Sequence, residues 1–387
     1  MKNLIRFLLA GLLAVTLAAC GGDNESPSNT PSTPTTPTNP TNPSNTDPQP
    51  GTDTKAFVSG ADISWVTEQE ADGVKFFNAA GQERDCFALM KEIGMSAIRL
   101  RVWVDPVAYG YGAWCDKADV VKKAQRAKNA GLDVMIDFHY SDFFADPGRQ
   151  ETPKAWQGLN LEELKTKVAE HTKDVLGALK SAGVTPKWVQ VGNETRNGMM
   201  WPTGQFYDAN NNYAEIPGTW KNYVDLTNAG FDAVKQVFSD ANVIIHLNNA
   251  WQDCDWWFAK YKELGGKMDM IGLSHYPQTE ATKTWTQVNN EALAQIKLLI
   301  NKYKVPVMVT EVGVKSTDEA EAAKALSAFL TEAKKIDKCV GAFYWEPQVY
   351  GGWIPSYYKI VGWGSYDQGA FSSDGKPMKC LDAFKGN

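Results

Sequence analysis

The chain has 387 residues, a formal net charge of −6, a pI near 5.4, 43% hydrophobic and 11% aromatic residues, the make-up of a globular protein with a large core. That acidic balance excludes an electrostatic hold on nucleic acid. Fourteen Trp are many for one chain, and an exposed Trp face suits a sugar ring, although any single Trp is more often core.

Met1 to Cys20 begins with Lys2 and Arg6, runs apolar from Phe7 to Leu17 and ends Leu17-Ala-Ala-Cys20, the pattern of a bacterial lipoprotein signal peptide. The apolar run is too short for a permanent span. Residues 1–19 are therefore expected to be removed and the Cys20 thiol lipidated, anchoring an exported chain to the bacterial outer membrane, with Asp23 and Glu25 favouring display at the cell surface. An ordinary secretory signal is the alternative. Residues 20–55, rich in Pro, Thr, Ser and Asn, bury too little apolar surface to offset chain entropy and read as a disordered, extended tether.

Residues 56–387 then alternate strand and helix. Phe57–Ile63 reads as a strand and Arg84–Ile93 as a helix closed by Gly94. Ala97–Trp103 is a strand, Lys117–Asn129 a helix, Asp133–His139 a strand, Leu161–Ser181 a helix and Lys187–Gly192 the fourth strand. Tyr223–Phe238, Trp256–Leu264, Asn290–Lys302 and Asp318–Lys335 are predicted helices, and Asn242–Leu247, Met268–Ser274, Pro306–Glu311 and Val340–Trp345 the strands that alternate with them. Apolar runs without strict alternation predict parallel strands buried on both faces. Eight such units close most simply into a single (β/α)8 TIM barrel of the α/β class. An open doubly wound sheet would carry a Gly-rich phosphate turn after its first strand, and Ala61-Asp62-Ile63 is not one.

A barrel places functional groups at the C-terminal ends of its strands. Asp62, Arg99 and Arg101, His139 and Tyr140, Asn193 and Glu194, His275 and Tyr276, Glu311, and Trp345 with Glu346 all fall there. Each alone is more often a satisfied structural group; jointly they mark a site. Glu194 and Glu311 come from the fourth and seventh strands and are predicted to face each other across the mouth. Acetal cleavage needs such a pair, one carboxyl protonated to give a proton to the leaving oxygen and one ionised to attack or stabilise the anomeric carbon.

Seven motifs carry a resemblance: Gly-Ala-Asp-Ile (60–63), Arg-Leu-Arg-Val-Trp-Val (99–104), Asp-Phe-His-Tyr-Ser-Asp (137–142), Ala-Asp-Pro-Gly (145–148), Val-Gly-Asn-Glu (191–194) with Trp-Pro-x-Gly (201–204), Ser-His-Tyr-Pro (274–277) and Thr-Glu-Val-Gly (310–313). Their order and spacing resemble the family 53 glycoside hydrolases, the endo-β-1,4-galactanases, over nearly the whole chain beyond the tether. The resemblance implies a retaining hydrolase of β-1,4-galactan or type I arabinogalactan, with Glu194 as general acid/base and Glu311 as nucleophile. It implies that Asn193 reads the 2-hydroxyl of the reacting sugar, and that Arg101 or Arg99, with Tyr276 or His275, holds Glu311 ionised. Glu194, beside Trp188 and Trp201, is expected to keep the raised pKa of an acid. His139 joins the substrate-binding set, Asp146 and Arg149 are expected to touch the sugar chain, and Trp345 and Trp363 to offer stacking faces.

Phe143-Phe144 replaces the Trp that many members carry before Ala-Asp-Pro, which implies an altered sugar platform. Some bacterial members hold calcium in the last loops; the segment between Glu311 and Asp318, with Asp367 and Asp374, makes no such ligand cluster, and no metal or other cofactor is expected. Five cysteines lie beyond the tether, and in an exported chain Cys86 with Cys115 is the expected pair, with at least one thiol left over. The expected partners are polysaccharide and, through the N-terminus alone, membrane; a monomer is expected. The rival readings are a β-mannanase or β-glucanase of the same barrel superfamily and a non-catalytic surface glycan-binding lipoprotein, for which two intact carboxylates would have no use.

Overall fold

In a computed structural model describing residues 57–208 and 214–385, eight strands close on themselves. They are β1 (Val58–Asp62), β2 (Ala97–Val102), β3 (Asp133–Phe138), β4 (Trp188–Val191), β5 (Asn242–Leu247), β6 (Met270–His275), β7 (Val307–Val312) and β8 (Cys339–Trp345). They form one barrel in chain order, β1 pairing both β2 and β8, every pair parallel. The expected signal peptide, Cys20 and the tether lie outside the described residues.

Nine α-helices accompany the strands: α1 (Val66–Ala71), α2 (Cys86–Glu92), α3 (Lys117–Asn129), α4 (Leu161–Ser181), α5 (Thr219–Val237), α6 (Asp255–Glu263), α7 (Trp285–Tyr303), α8 (Glu319–Ala333) and α9 (Ser356–Val361), counted among the described residues. Capping explains several starts. Asn160 and Glu163 form a reciprocal capping box at α4, as do Thr284 and Gln287 at α7, so α7 begins at Trp285, more than a turn before the predicted Asn290. The helices α5 and α6 also start earlier than predicted, and the short helices α1 and α9 carry no sequence signal long enough to read. The main apolar core lies between barrel and helices, with Ile98, Val134, Val189, Ile245 and Val309 meeting Val120, Val175, Ile296 and Phe329.

Inside the barrel the side chains are layered. Ala97, Met135, Trp188, Ile244, Met270, Met308 and Phe343 form an apolar floor. Alternation along each strand brings the residue two positions on to the same face, so Arg99, Asp137, Gln190 and His246 form a polar layer above that floor. Trp188 is therefore a floor residue against Phe343, with ring centroids 6.1 Å apart, and not part of the surroundings of Glu194 as expected.

One strand breaks this rhythm, and the site depends on it. The pairing of β6 with β7 matches Gly272 to Met308 but Ser274 to Glu311, a bulge that inserts one residue into β7. Without it Thr310 would occupy the inward position and Glu311 would face the helices. With it both point inward, and Gly272 makes room: a Cβ there would meet Ile244 Cγ2 at 2.6 Å and Thr310 Cγ2 at 3.0 Å. Non-glycine residues with positive φ also collect at strand tips, at Tyr140 (48°), Glu194 (48°), Asn249 (52°) and Glu346 (51°), a strained conformation that persists where the surroundings impose it.

The five described cysteines are all buried and free, so Cys86 and Cys115 do not pair. Cys86 sits in the main core, whereas Cys115 belongs to an aromatic cluster at the barrel mouth with its sulfur 3.6 Å from the Ser64 carbonyl and 3.7 Å from Lys123 Nζ.

Candidate active site

Glu194 leaves β4 and Glu311 ends the bulged segment of β7, and one hydroxyl joins them. Ser274 Oγ lies 2.6 Å from Glu194 Oε1 and 3.4 Å from Glu311 Oε2. The two carboxylate oxygens that it joins therefore lie within about 6 Å of each other. A cleft of about 160 Å³ opens over them, lined by His139, Phe144, Asp146, Asn193, Tyr276, Trp345, Tyr358 and Trp363 among others.

The two carboxyls have different surroundings. Glu311 Oε1 meets Arg99 Nη2 at 2.9 Å and Oε2 accepts from the Tyr276 hydroxyl at 2.8 Å. Burial raises its pKa, and Arg99 and Tyr276 pull it back. Burial and then the neighbouring Glu311 charge push Glu194 well above the ordinary carboxyl range, against which it has only the Ser274 hydroxyl and a weak pull from Arg99. Of the pair, Glu194 holds the proton and Glu311 the charge.

Arg99 is the hub of the polar layer. It donates to Asp62 Oδ2 at 2.8 Å, Asp137 Oδ2 at 2.7 Å, Gln190 Oε1 at 3.0 Å and Asn193 Oδ1 at 2.8 Å, and forms its ion pair with Glu311 beside them. Burial works against its charge, but Asp137, Glu311 and Asp62 raise its pKa above the ordinary guanidinium value. Asn193 passes this anchorage outward, its Nδ2 donating to Ala145 O at 2.8 Å. His139 Nδ1 accepts the Ala145 N–H at 2.9 Å while Nε2 lies 3.0 Å from Asp137 Oδ2, which fixes the neutral tautomer with the proton on Nε2. Asn193 and His139 thus hold the two peptide groups that flank the Ala145 Cα and set the loop that carries Phe144 and Asp146 into the cleft.

The structure separates other expected partners. Arg101 does not reach Glu311; it pairs with Glu346 and lies under the Trp65 ring at 4.0 Å and the Phe144 ring at 4.6 Å. His275 follows inward-facing Ser274 and so faces the helices, fully buried against Phe329 with Nε2 2.7 Å from Asn289 Oδ1. Arg149 stands behind the cleft wall, donating to the Tyr357 hydroxyl at 2.7 Å and lying 5.5 Å from the Trp363 ring. Trp345 is held edge-on by Tyr366 at 4.6 Å, and Trp363 is 40% exposed, open to a ligand. Phe144, of the Phe143-Phe144 pair, is packed edge-on among Trp65, Trp103 and Tyr357. Among the described residues no group of three or more His, Cys, Asp or Glu is placed to hold a metal ion.

Sequence reading missed His246 and Gln190, and took Ser274 only as part of a motif. His246 Nδ1 faces the Gln190 amide at 2.8 Å, Asn193 Oδ1 at 3.0 Å and the Glu194 N–H at 3.3 Å, and Nε2 faces Ser274 Oγ at 2.8 Å. The available signal was a His and a Gln at inward positions of otherwise apolar strands, two residues above the floor.

A (β/α)8 barrel that brings two carboxyls together at the C-terminal ends of its fourth and seventh strands, under a cleft walled by tryptophan, is a glycoside hydrolase. The glycosyl hydrolase family 53 model matches residues 58–327, and the chain belongs to that family. It is 30% identical over 354 residues to an endo-β-1,4-galactanase of Bacillus subtilis, covering 82% of this chain and 77% of that one. An arabinogalactan endo-β-1,4-galactanase of Cellvibrio japonicus is 30% identical over 363 residues, covering 86% and 90%. Among solved structures, the GH53 catalytic domain of Ignisphaera aggregans superposes with a TM-score of 0.72 at 28% identity, covering 89% of this chain and 99% of that one.

Proposed function

We propose that the enzyme hydrolyses β-1,4-galactosidic bonds in galactan or type I arabinogalactan by double displacement with retention. The observation that carries the mechanism is the shared Ser274 hydroxyl, 2.6 Å from one carboxylate and 3.4 Å from the other, which holds the two carboxyls as neighbours, the arrangement that direct attack on the sugar needs. The names of the relatives support the substrate.

In the first step the Glu194 carboxyl gives its proton to the glycosidic oxygen as a Glu311 oxygen bonds to the anomeric carbon and the bond to the leaving sugar breaks. In the second, water attacks that carbon, its proton passes to the Glu194 carboxylate, and Glu311 leaves as a carboxylate. Arg99 and Tyr276 hold Glu311 in line and stabilise its charge between turnovers. Asn193 meets the 2-hydroxyl, and Trp345, Trp363 and Asp146 bind the sugar chain, with Arg149 acting through Trp363. Signal cleavage and lipidation at Cys20 would hold a monomeric enzyme at the outer membrane, facing outward on its tether; labelling with a radioactive fatty acid that persists in Cys20→Ala would overturn that placement.

The test is digestion of β-1,4-galactan beside galactomannan and β-glucan. Galactan alone is expected to release sugars, and Glu311→Ala to release none. Preference for either other polymer, or undiminished release by the variant, overturns the reading. A 2-fluoro galactosyl donor is expected to label Glu311.

A further inference from the structure

We infer that Ser274 is a positioning residue of the reaction: aimed by His246, it supplies a single hydroxyl proton that turns to whichever of Glu194 and Glu311 carries the negative charge. The inference deepens the two-carboxylate reading above and rests on it.

The geometry leaves Ser274 little choice. His246 Nδ1 lies 2.8 Å from the Gln190 amide nitrogen and 3.3 Å from the Glu194 backbone nitrogen, both donors, and 3.0 Å from Asn193 Oδ1, an acceptor that already takes Arg99 Nη2 at 2.8 Å and the Gln190 amide at 3.4 Å. With two donors aimed at Nδ1 and its one neighbouring acceptor already occupied by Arg99 and the Gln190 amide, Nδ1 accepts, so the imidazole proton sits on Nε2. Burial and the Arg99 charge hold the ring well below its ordinary pKa, hence neutral. Its Nε2–H then donates to Ser274 Oγ at 2.8 Å, and the hydroxyl hydrogen must point elsewhere. Only the two carboxylates remain, at 2.6 and 3.4 Å. One hydrogen serves one of them at a time.

The reaction moves charge between those two groups. In the resting enzyme Glu311 is ionised and Glu194 protonated, and the hydroxyl turns to Glu311. In the glycosyl-enzyme Glu311 is an ester and Glu194 a carboxylate, and the hydroxyl turns to Glu194. Each state keeps a hydrogen bond to its charge at the cost of one rotation about a Cβ–Oγ bond.

A single hydrogen also makes a lopsided prediction. The first ionisation of the pair gains the donor; the second gains none, because the hydrogen is already used. Removing the hydroxyl therefore raises the first pKa and leaves the second in place. The other charged and titratable groups facing the pair are Asp62 of β1, Arg99 of β2, Asp137 of β3, Asp146 beyond it, His246 of β5, Tyr276 beyond β6 and Tyr366 near the C-terminus. All are shared by wild type and variant, so they cancel in the comparison.

The experiment is a 13C titration of Glu side-chain carboxyls in the free protein, assigned with Glu194→Gln and Glu311→Gln, beside the pH profile of kcat/KM on galactan. In Ser274→Ala the lower pKa, and with it the acid limb, is expected to rise by about one unit, the size of one hydrogen bond to a charge, while the upper pKa stays. His246→Gln, whose amide donates less directionally, is expected to show a smaller rise of the same sign, and Ser274→Thr, which keeps the hydroxyl, to restore the wild-type lower value. An unmoved lower pKa in Ser274→Ala, or equal movement of both, overturns the inference. The titration needs no substrate, so a wild type inactive on galactan sinks the substrate reading and leaves this test standing.

Discussion

Arg99 and Arg101 stand two residues apart on β2, point into the same barrel, and are each 1% exposed. Around Arg99, Asp62, Asp137, Gln190 and Asn193 accept four hydrogen bonds and Glu311 adds an ion pair. Around Arg101 there is one carboxylate, Glu346, and a box of aromatic faces; Nε and Nη2 have no acceptor among the described residues. The carboxylates report the difference. Burial works against the charge of both Asp137 and Glu346, yet Arg99 and His139 bring Asp137 below its ordinary value, whereas Glu346 beside Arg101 is pushed up to about 7. An arginine next to a buried acid does not settle the acid's charge; the number of hydrogen bonds that satisfy the pair does. The first arginine thus fixes charge at the site, and the second fixes the shape of the cleft wall through Phe144.

The sharpest way to break the comparison is to remove each cation in turn. Arg99→Met strands Asp62 and Asp137 in the barrel interior and is expected to cost about 3 to 5 kcal/mol of stability and at least a hundredfold in kcat/KM. Arg101→Met leaves only Glu346, which takes up a proton, and is expected to cost about 1 to 3 kcal/mol with kcat/KM within about tenfold. Urea unfolding and steady-state kinetics read both. Equal losses would mean that the two environments do not differ in energy.

The second prediction uses Glu346 alone. Its folded pKa, about 7, lies above the ordinary 4.5, so the folded state binds its proton more tightly than the unfolded one. That preference is fully present below pH 4.5 and is lost as pH rises to about 7, which removes on the order of 3 kcal/mol across the window. Glu194 and Glu311 share the same sign, so the measurement is a difference: the fall in unfolding free energy from pH 4.5 to 7 is expected to be smaller in Glu346→Gln. An identical fall would place the Glu346 charge elsewhere.

The same contrast shows what could be read without coordinates. Strand tips were legible because apolar runs ended in polar residues, so Glu194, Glu311, Arg99 and Tyr276 were named in their places. Which neighbour faces inward was not, since a strand offers alternate sides and register decides between them. Arg101 was a fair candidate for Glu311 until the bulge in β7 placed that carboxyl within reach of Arg99 instead. His275 stands in the sequence as an alternative to Tyr276 at Glu311, and lies on the other side of β6 against Asn289. Cys86 and Cys115 were paired on export chemistry, a prior about compartment that carries no information about distance. His246 carries no signal of its own in the sequence, since a single His inside an apolar strand is usually a satisfied core group, and here Gln190 and Ser274 of the polar layer satisfy it.

The smallest expected effect lies at the outer edge of the Arg101 region, where the aromatic box reaches solvent. Trp363 is 40% exposed and is held from behind by Tyr357 and Tyr358, edge to face, at 5.5 and 5.3 Å, with the Arg149 guanidinium 5.5 Å from its ring. Those partners orient the indole without covering it, so its free face is open to a sugar ring. Trp363→Ala is expected to raise KM for galactan several-fold, about 1 kcal/mol of stacking, with kcat and the pH profile unchanged. Arg149→Met, which removes the cation beside the ring and leaves its face open, is expected to raise KM less. A fall in kcat in either variant would place this edge in contact with the reacting sugar and undo the division between a region that sets charge and one that sets shape.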